Sequence, residues 1–218
     1  PEPADLIVSD LRGTLPLFDQ HIPTIIDARQ RHLAPNGVLI PQKDLLWVSV
    51  VEAAPLYKAL LKPWDDAYGF NMLAARQMVL NQWQHDDTDL LRPHNLLTQP
   101  VKWAVLDYTT IEHPDAASAE SVQTATHSGT AHGLLILFDA VLSDGIGFSN
   151  APQVGRVADV YGRGFFPFLE PVPLTAGDTI RLLIQATLTD DGYTWQWQTR
   201  IYSQGKQNMI LVDYNQSA

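Results

Sequence analysis

The stretch DLIVSDLRGTLPLFDQHIPTIIDARQRHLAPNGVLIP, residues 5–41, decides the fold of the N-terminal part of the chain. An apolar run at 5–8 passes through a turn-rich segment into a helical pattern, and a second apolar run follows at 38–40. The first apolar run and the helical pattern after it are half of a βαβ unit, and such strands are stable only beside parallel neighbours. The sequence before it contains no earlier strand and no glycine-rich dinucleotide loop. We therefore expect the back part of an enzyme whose cofactor-binding half lies elsewhere.

Local signals predict the limits of the helix in this unit. Ile22, Ile25 and Ile26 recur at helical spacing, Asp19 stands where an N-terminal cap is expected, and the Pro-Asn-Gly turn at 35–37 should stop the helix. The extended run that follows ends at a proline and is predicted to be the last strand of the α/β piece.

Composition narrows the possible functions. The chain has 218 residues, a formal net charge of −10 and no cysteine. Nucleic-acid binding requires clustered Lys and Arg, and the basic residues here are scattered, so no nucleic-acid partner is expected. The absence of cysteine excludes disulfides, a thiolate nucleophile and Cys-ligated zinc. The sequence shows neither a membrane-spanning stretch nor a secretory signal, so we expect a cytoplasmic protein with no membrane contact.

Beyond the α/β piece the periodicity becomes that of strands. Six runs are rich in β-branched and aromatic residues and require a closed or double-layered sheet, which we predict to be a β-barrel. The runs are Leu45–Val51, Val101–Ile111, Leu134–Leu142, Thr179–Leu188, Tyr193–Tyr202 and Met209–Val212. Trp195 and Trp197 alternate onto one face, which is expected to be barrel core rather than a ligand-stacking platform. The Ala/Ser/Thr-rich stretch 116–129 is predicted to be a loop.

A helical insertion separates the first two barrel strands. Over residues 56–97, Met72, Ala75, Val79 and Trp83 follow helical spacing and form an apolar stripe. Such a stripe must be buried on the barrel or on a second subunit. We therefore predict an arm that supports a homodimer.

Asp10 and Asp19 are the candidate catalytic residues. A carboxylate at the end of a strand and another near the following helix can face one crevice. Two neighbouring carboxylates can grip a guanidinium through charge-assisted hydrogen bonds, or share a proton in acid–base catalysis. From the spacing alone, a solvated turn residue at Asp10 and a helix cap at Asp19 are the favoured explanation, because caps are far commoner than catalytic pairs. The histidines lack paired ligand spacing, so no metal site is expected.

The order of motifs resembles the second half of the protein arginine methyltransferase family. The resemblance rests on the loop with the two carboxylates, the LAPNG turn at 33–37 and the YGFNM element at 68–72. In the family, two loop glutamates hold the substrate guanidinium opposite the methyl group of S-adenosylmethionine. The resemblance places those glutamates on Asp10 and Asp19, each one methylene shorter here.

The resemblance also implies roles for neighbouring residues. Arg12 and His21 stand where the family often has methionines, and both are assigned to substrate binding; Arg12 is also able to occupy the carboxylates itself. Val160 and Tyr161 stand nearest the family's Thr-His-Trp element, without its histidine. The YGFNM element belongs to an arm that reaches a second subunit.

These observations give one overall interpretation. Residues 1–43 are predicted to be the remnant of a methyltransferase domain, and residues 44–218 a β-barrel substrate domain with a helical arm at about 56–97. S-adenosylmethionine is expected as cofactor of the full-length protein, with a basic or arginine-containing protein as substrate. The chain alone is expected to be inactive and to bind no cofactor. The alternative is a non-catalytic β-barrel interaction module derived from the same family.

Overall fold

The computed structural model describes residues 2–65, 69–86, 90–114, 116–152, 161–205 and 209–218. Tyr68 and Val160, to which the sequence assigned family positions, lie outside these ranges. The elements in chain order are β1 (Ala4–Val8), α1 (His21–His32), β2 (Leu33–Ile40), β3 (Lys43–Val51), α2 (Ala54–Leu61), α3 (Leu73–Leu80), β4 (Gln84–Asp86), β5 (Val101–Asp107), β6 (Ala116–Thr124), β7 (Gly129–Ser143), β8 (Ile146–Ser149), β9 (Arg163–Leu174), β10 (Thr179–Thr189), β11 (Gly192–Ser203) and β12 (Met209–Ser217). Short 3-10 helices lie at Lys62–Trp64 and Pro93–Asn95.

The first three elements form the expected strand-helix-strand piece. β1 and β2 pair in parallel, with Ile7 opposite Leu39 and Val8 opposite Ile40. Helix α1 connects them and buries Ile22 and Ile25. The apolar periodicity therefore identified both strands and the helix between them.

Both predicted limits of α1 are wrong. Gln20, not Asp19, is the N-cap residue, and it makes no side-chain cap hydrogen bond. Asp19 instead has a φ of 41°, in the left-handed region. The helix ends at His32, before the predicted turn, because Pro35 restricts the residue before it to extended conformations. The turn at 35–37 lies inside β2, where the pairing with β1 shifts register.

The remaining strands form two packed sheets. One sheet has the order β12-β11-β10-β6, and the other has the order β4-β9-β7-β3-β5 with β8 paired to β7. Isolated bridges from Val51 to Leu96 and from Thr98 to Ala125 lie outside the named strands. Within the described residues the two sheets do not close into one hydrogen-bonded ring. Of the two arrangements that the sequence allowed, a closed sheet or a double-layered one, the described residues form the double-layered one. The mainly β fold is as predicted.

Aromatic side chains fill the space between the two sheets. Trp195 and Trp197 on β11 are 2% and 1% exposed, which confirms their core assignment. Both indoles meet the ring of Phe166 on β9 edge to face, with centroids 5.3 and 5.1 Å away. Trp103 on β5 makes a further edge contact to Trp195 at 5.8 Å. These rings join residues from both sheets into one core.

Four strands of the β-domain were not predicted from the sequence: the short β4 and β8, and the longer β6 and β9. Residues 116–124, predicted to be a loop, form the edge strand β6, whose inward positions are small or polar residues such as Ala119 and Gln123. Outward Val122 is 63% exposed, so the usual apolar-polar alternation is absent. Strand β9 was missed because it contains three prolines, which normally count against a strand.

The arm, residues 56–97, packs on the sheet that contains β7 and β9, and the burial of its side chains varies along its length. Tyr57 and Leu61 of α2 are buried in a second cluster with residues of β7. Trp83, which lies beyond the end of α3, stacks on Phe166 at 6.0 Å. The predicted stripe therefore belongs partly to the chain's own core. None of the described helices, in the arm or elsewhere, is long and apolar enough to cross a bilayer.

Replacing Trp195 by Ala should lower the free energy of unfolding by about 3–5 kcal/mol, because it leaves a cavity where both sheets meet. Val122→Ala on exposed β6 is the matched control and should change stability by less than about 0.5 kcal/mol. Urea unfolding followed by circular dichroism measures both. Equal stability of the two variants would contradict a core shared by the sheets.

Candidate functional site

The loop between β1 and α1 is held on the β-domain by its apolar residues. Leu15 and Leu17 are 1% and 4% exposed. A Cβ on Gly164 of β9 would lie only 2.8 Å from a methyl carbon of Leu15, so the glycine makes room for this contact. Because burial fixes the middle of the loop, the polar residues on either side are held in defined positions.

Asp10 stands at the exposed end of this loop. It follows β1, and its side chain is 65% exposed. The hydroxyl of Tyr161 donates a hydrogen bond to Oδ1. Among the described residues, Oδ2 receives no hydrogen bond. The result is a carboxylate that is oriented from the β-domain and has one oxygen open to solvent.

Arg12 points in the opposite direction, into the protein. Its side chain is 2% exposed, and Nη1 donates to Oδ1 of Asp44 at 2.8 Å. Its Nε lies 3.9 Å from Oδ1 of Asp10. The guanidinium carbon lies 5.7 Å from the ring centroid of Phe138, 5.6 Å from that of Phe148 and 5.8 Å from that of Tyr161. Arg12 thus joins the loop to the β-domain through charge and through cation–π contact.

A hydrogen-bonded chain continues from Asp44 to His21. Tyr108, directly after β5, donates its hydroxyl proton to Oδ2 of Asp44 at 2.5 Å. Nε2 of His21 lies 3.3 Å from the same hydroxyl oxygen. Since the single phenolic proton is given to Asp44, His21 must donate from Nε2, which makes its ring the neutral Nε2–H tautomer. Nδ1 of His21 is buried without a hydrogen-bond partner among the described residues.

Burial perturbs the titration of both ends of this chain. Desolvation raises the pKa of Asp44 to about 6, although Arg12 and the bond from Tyr108 act in the other direction. Desolvation, followed by repulsion from Arg12, lowers the pKa of His21 to about 4. Burial also raises the pKa of Tyr161 to about 12, with Asp10 adding to the shift. At neutral pH the network holds an ionised Asp44 and a neutral His21.

Asp19 does not join this network. Its Oδ1 lies against Gly192, at the turn between β10 and β11, where a Cβ would come within 3.2 Å of it. Among the described residues, no side-chain hydrogen bond or ion pair connects Asp19 to Asp10 or Arg12. The structure therefore brings Asp10, Arg12 and His21 into one network and places Asp19 on a different part of the β-domain.

Sequence reasoning missed the partners that organise the network. Asp44 is fully buried in β3, and Tyr108 is fully buried after β5. The signal for Asp44 was present, because it shares a face with Leu46 and Val48, both core residues. A carboxylate on the inward face of a strand requires a buried partner. No local pattern identified that partner as Arg12.

The loop between β1 and α1 contains no glycine-rich phosphate-binding pattern. Gly13, its one glycine, is covered by Phe18, whose ring carbons would lie 2.6 Å from a Cβ at that position. A side chain larger than hydrogen at position 13 would therefore collide with the Phe18 ring. Over the described ranges, no group of three or more His, Asp or Glu side chains is arranged to hold a metal ion.

Comparison with known proteins places this fold among its relatives. A family model described as the arginine methyltransferase oligomerization subdomain matches residues 42–198. Protein arginine N-methyltransferase 1 of Dictyostelium discoideum is 25% identical over 153 residues, which are 68% of this chain and 44% of that protein. Protein arginine N-methyltransferase 2 of Mus musculus is 26% identical over 195 residues, which are 83% of this chain and 42% of that protein. The chain thus spans less than half the length of these relatives.

Solved structures share the fold over the whole chain. The Trypanosoma brucei PRMT1 enzyme-prozyme heterotetrameric complex with AdoHcy matches with a TM-score of 0.82 at 16% identity, covering 100% of this chain and 68% of that chain. Arabidopsis thaliana protein arginine methyltransferase 10 matches with a TM-score of 0.77 at 17% identity, covering 100% of this chain and 70% of that chain. The resemblance and the mainly β fold class predicted from the sequence are confirmed.

Asp44 and His21 act on stability in opposite senses over one pH range. The raised pKa of Asp44 makes stability fall as pH rises from 3.8 through about 6. The lowered pKa of His21 makes stability fall as pH decreases from 6.5 through about 4. Each effect is worth about 3 kcal/mol, so the two largely cancel in the parent protein.

Single substitutions should therefore expose a pH dependence that Asp44 and His21 largely cancel in the parent. In Asp44→Asn, the free energy of unfolding should rise by about 3 kcal/mol from pH 4 to 6.5, and in His21→Gln it should fall by a similar amount. Urea unfolding at stepped pH measures the slopes. His32→Gln, at an exposed position on α1, is the control. If both variants keep the parent's profile, the assigned protonation states are wrong.

Proposed function

The chain belongs to the arginine methyltransferase family, because it matches that family's oligomerization subdomain over residues 42–198. On this basis we propose that it is the substrate-binding and oligomerization portion of an S-adenosylmethionine-dependent protein arginine N-methyltransferase. We propose that residues 1–43 are the end of the methyltransferase domain. We also propose that the complete protein is located in the cytoplasm. The proposal concerns the complete protein, because the chain spans 42–44% of the curated relatives named above.

The geometry of Asp10 is the observation that carries this proposal. Its carboxylate lies at the junction of the α/β piece and the β-domain, is 65% exposed and is oriented by Tyr161. A carboxylate with one oxygen open to solvent can accept charge-assisted hydrogen bonds from a substrate guanidinium. Holding the guanidinium in one orientation directs one nitrogen toward a methyl donor.

Arginine-containing proteins are the proposed substrate class. The formal charge of −10 favours approach of basic partners over acidic ones. S-adenosylmethionine would supply the methyl group, and we assign its binding to the part of the complete protein outside this chain, because the chain contains no glycine-rich loop of the GxGxxG kind. The described residues bind and orient the acceptor; we assign them no role in holding the donor.

A second candidate function is a non-catalytic interaction module. Arg12 lies 3.9 Å from Asp10 and is paired to Asp44 at 2.8 Å, so the chain's own cation is already close to the proposed acceptor carboxylate. Asp19 lies on the turn at Gly192 rather than beside Asp10. Both features weaken a two-carboxylate grip on a substrate. Methylation by the complete protein distinguishes the two functions.

We place the oligomer contact on the exposed side of the arm. Phe70, Leu73 and Met78 are 75%, 63% and 68% exposed, an apolar surface that water does not favour. We assign the contact to these residues and not to the stripe predicted from the sequence, because Trp83 packs against the core and Met72 and Val79 are half-buried. A homodimer through this surface is consistent with the subdomain that the chain matches.

Asp10→Asn in the complete protein should reduce turnover of an arginine peptide by about one to two orders of magnitude, since it removes a charge-assisted bond worth about 1.5–3 kcal/mol. Asp19→Asn should do the same if this carboxylate also contacts substrate. Steady-state methylation measures both, with Asp27→Asn in the exposed pair with Arg31 as control. Turnover equal to the parent's in both variants would refute the assignment of the loop.

The double variant Leu73→Glu with Met78→Glu should convert a dimer of the complete protein into a monomer, because it places two charges in the apolar contact. Sedimentation velocity over a concentration series measures the change. Val122→Glu, on equally exposed β6, should leave the dimer intact. A double variant that sediments like the parent would exclude this surface as the contact.

A further inference from the structure

The surroundings of Arg12 have the form of a binding site. The rings of Phe148 and Tyr161 are parallel, 6° apart in plane, with centroids 5.3 Å apart. Phe138 stands edge-on to both, at 75° and 80°. The guanidinium carbon lies within 5.6–5.8 Å of all three centroids. The three rings lie together on one side of the cation and form an aromatic wall, which we call the box; cation contact with aromatic rings is a recurring means of recognising organic cations.

Carboxylates stand at both ends of this box. Asp44, which is fully buried, lies at its base and contacts Nη1 of Arg12 at 2.8 Å. Asp10, which is 65% exposed, lies at its rim, 3.9 Å from Nε. The rim carboxylate is itself exposed, whereas a purely structural ion pair would require only the buried partner. The rest of the loop is held separately by Leu15 and Leu17.

The chemistry of the box favours guanidinium over ammonium. A guanidinium is planar, delocalised and weakly hydrated, so it can stack on rings and donate in the plane to carboxylates at the same time. Arg12 uses this capacity only in part, because its Nε is buried without a hydrogen-bond partner among the described residues. In this position Nε lies 3.9 Å from Oδ1 of Asp10, which is too far for it to donate a hydrogen bond there. A free guanidinium ion has no such restriction.

We propose that Phe138, Phe148 and Tyr161, with Asp44 at the base and Asp10 at the rim, form a guanidinium-binding site, and that Arg12 is its internal ligand. Arg12 then keeps the site closed to the arginine side chains of other chains. Asp10 also belongs to the proposed acceptor site, so the inference deepens the proposed function by adding an internal competitor to it. The existence of the site does not depend on methyl transfer.

The test uses Arg12→Ala in the complete protein, which empties the box. Guanidinium chloride at low millimolar concentration should raise the unfolding temperature of this variant by several degrees in a saturable manner, because an ion that binds only the folded state stabilises it. Methylammonium chloride and sodium chloride at equal concentration should give no such rise. The parent, whose box is filled, should show none either.

Arg181→Ala is the matched control. Arg181 is an exposed arginine whose guanidinium carbon lies over a single ring, that of Tyr202, at 5.4 Å. Removing it leaves no box, so guanidinium should not raise the unfolding temperature of this variant. A response of Arg12→Ala that equals that of Arg181→Ala, or an equal rise with methylammonium, would overturn the proposal.

If Arg12→Ala does not fold on its own, the same ions are added during refolding from urea. Recovery of the near-ultraviolet circular dichroism with guanidinium but not with methylammonium supports the site. Failure of guanidinium to restore the signal overturns it. Neither reading depends on methylation activity, so the site and the proposed function can fail separately.

Discussion

The buried ion pair between Arg12 and Asp44 is the interaction on which the arrangement of the two parts of the chain depends. Both side chains are almost completely removed from water, at 2% and 0% exposure. Such a transfer costs several kcal/mol per ion, which direct contact alone does not reliably offset. Here the hydroxyl of Tyr108 satisfies the second oxygen of Asp44, and three rings contact the cation on one side. The loop cannot leave the β-domain without exposing an unpaired buried carboxylate.

The two packed sheets make this pair possible. Asp44 lies on the same inward face of β3 as Leu46 and Val48, so its carboxylate is buried with the core residues of that strand. Phe138 comes from the neighbouring strand β7, and Phe148 from β8. Arg29 of α1 adds a further connection by donating to the carbonyls of Tyr108 and Ile111. Helix, loop and sheet are therefore joined at one place, next to the exposed carboxylate of Asp10.

This arrangement links stability to the chemistry of the site. The same guanidinium that neutralises Asp44 lies 3.9 Å from the carboxylate proposed to receive substrate. A change at position 12 therefore alters both the anchoring of the loop and the field around Asp10. The neutral ring of His21, held by Tyr108, avoids a second cation beside Arg12. Strongly shifted pKa values concentrate in this small region because burial and paired charges coincide there.

The sequence by itself determined the features that depend on neighbouring residues. The spacing of apolar residues identified β1, α1 and β2, and the alternation of side chains along β11 placed Trp195 and Trp197 in the core. The order of loop and turn motifs indicated the family. It failed where the local signal was weak or misleading, as for small-residue β6 and proline-rich β9. Only the tertiary structure decided the partner of Arg12, which lies 32 residues away, and the partner of Asp10, which lies 151 residues away. The physical reason is that burial and pairing of a charge are set by which strands pack together, and no short stretch of sequence records that.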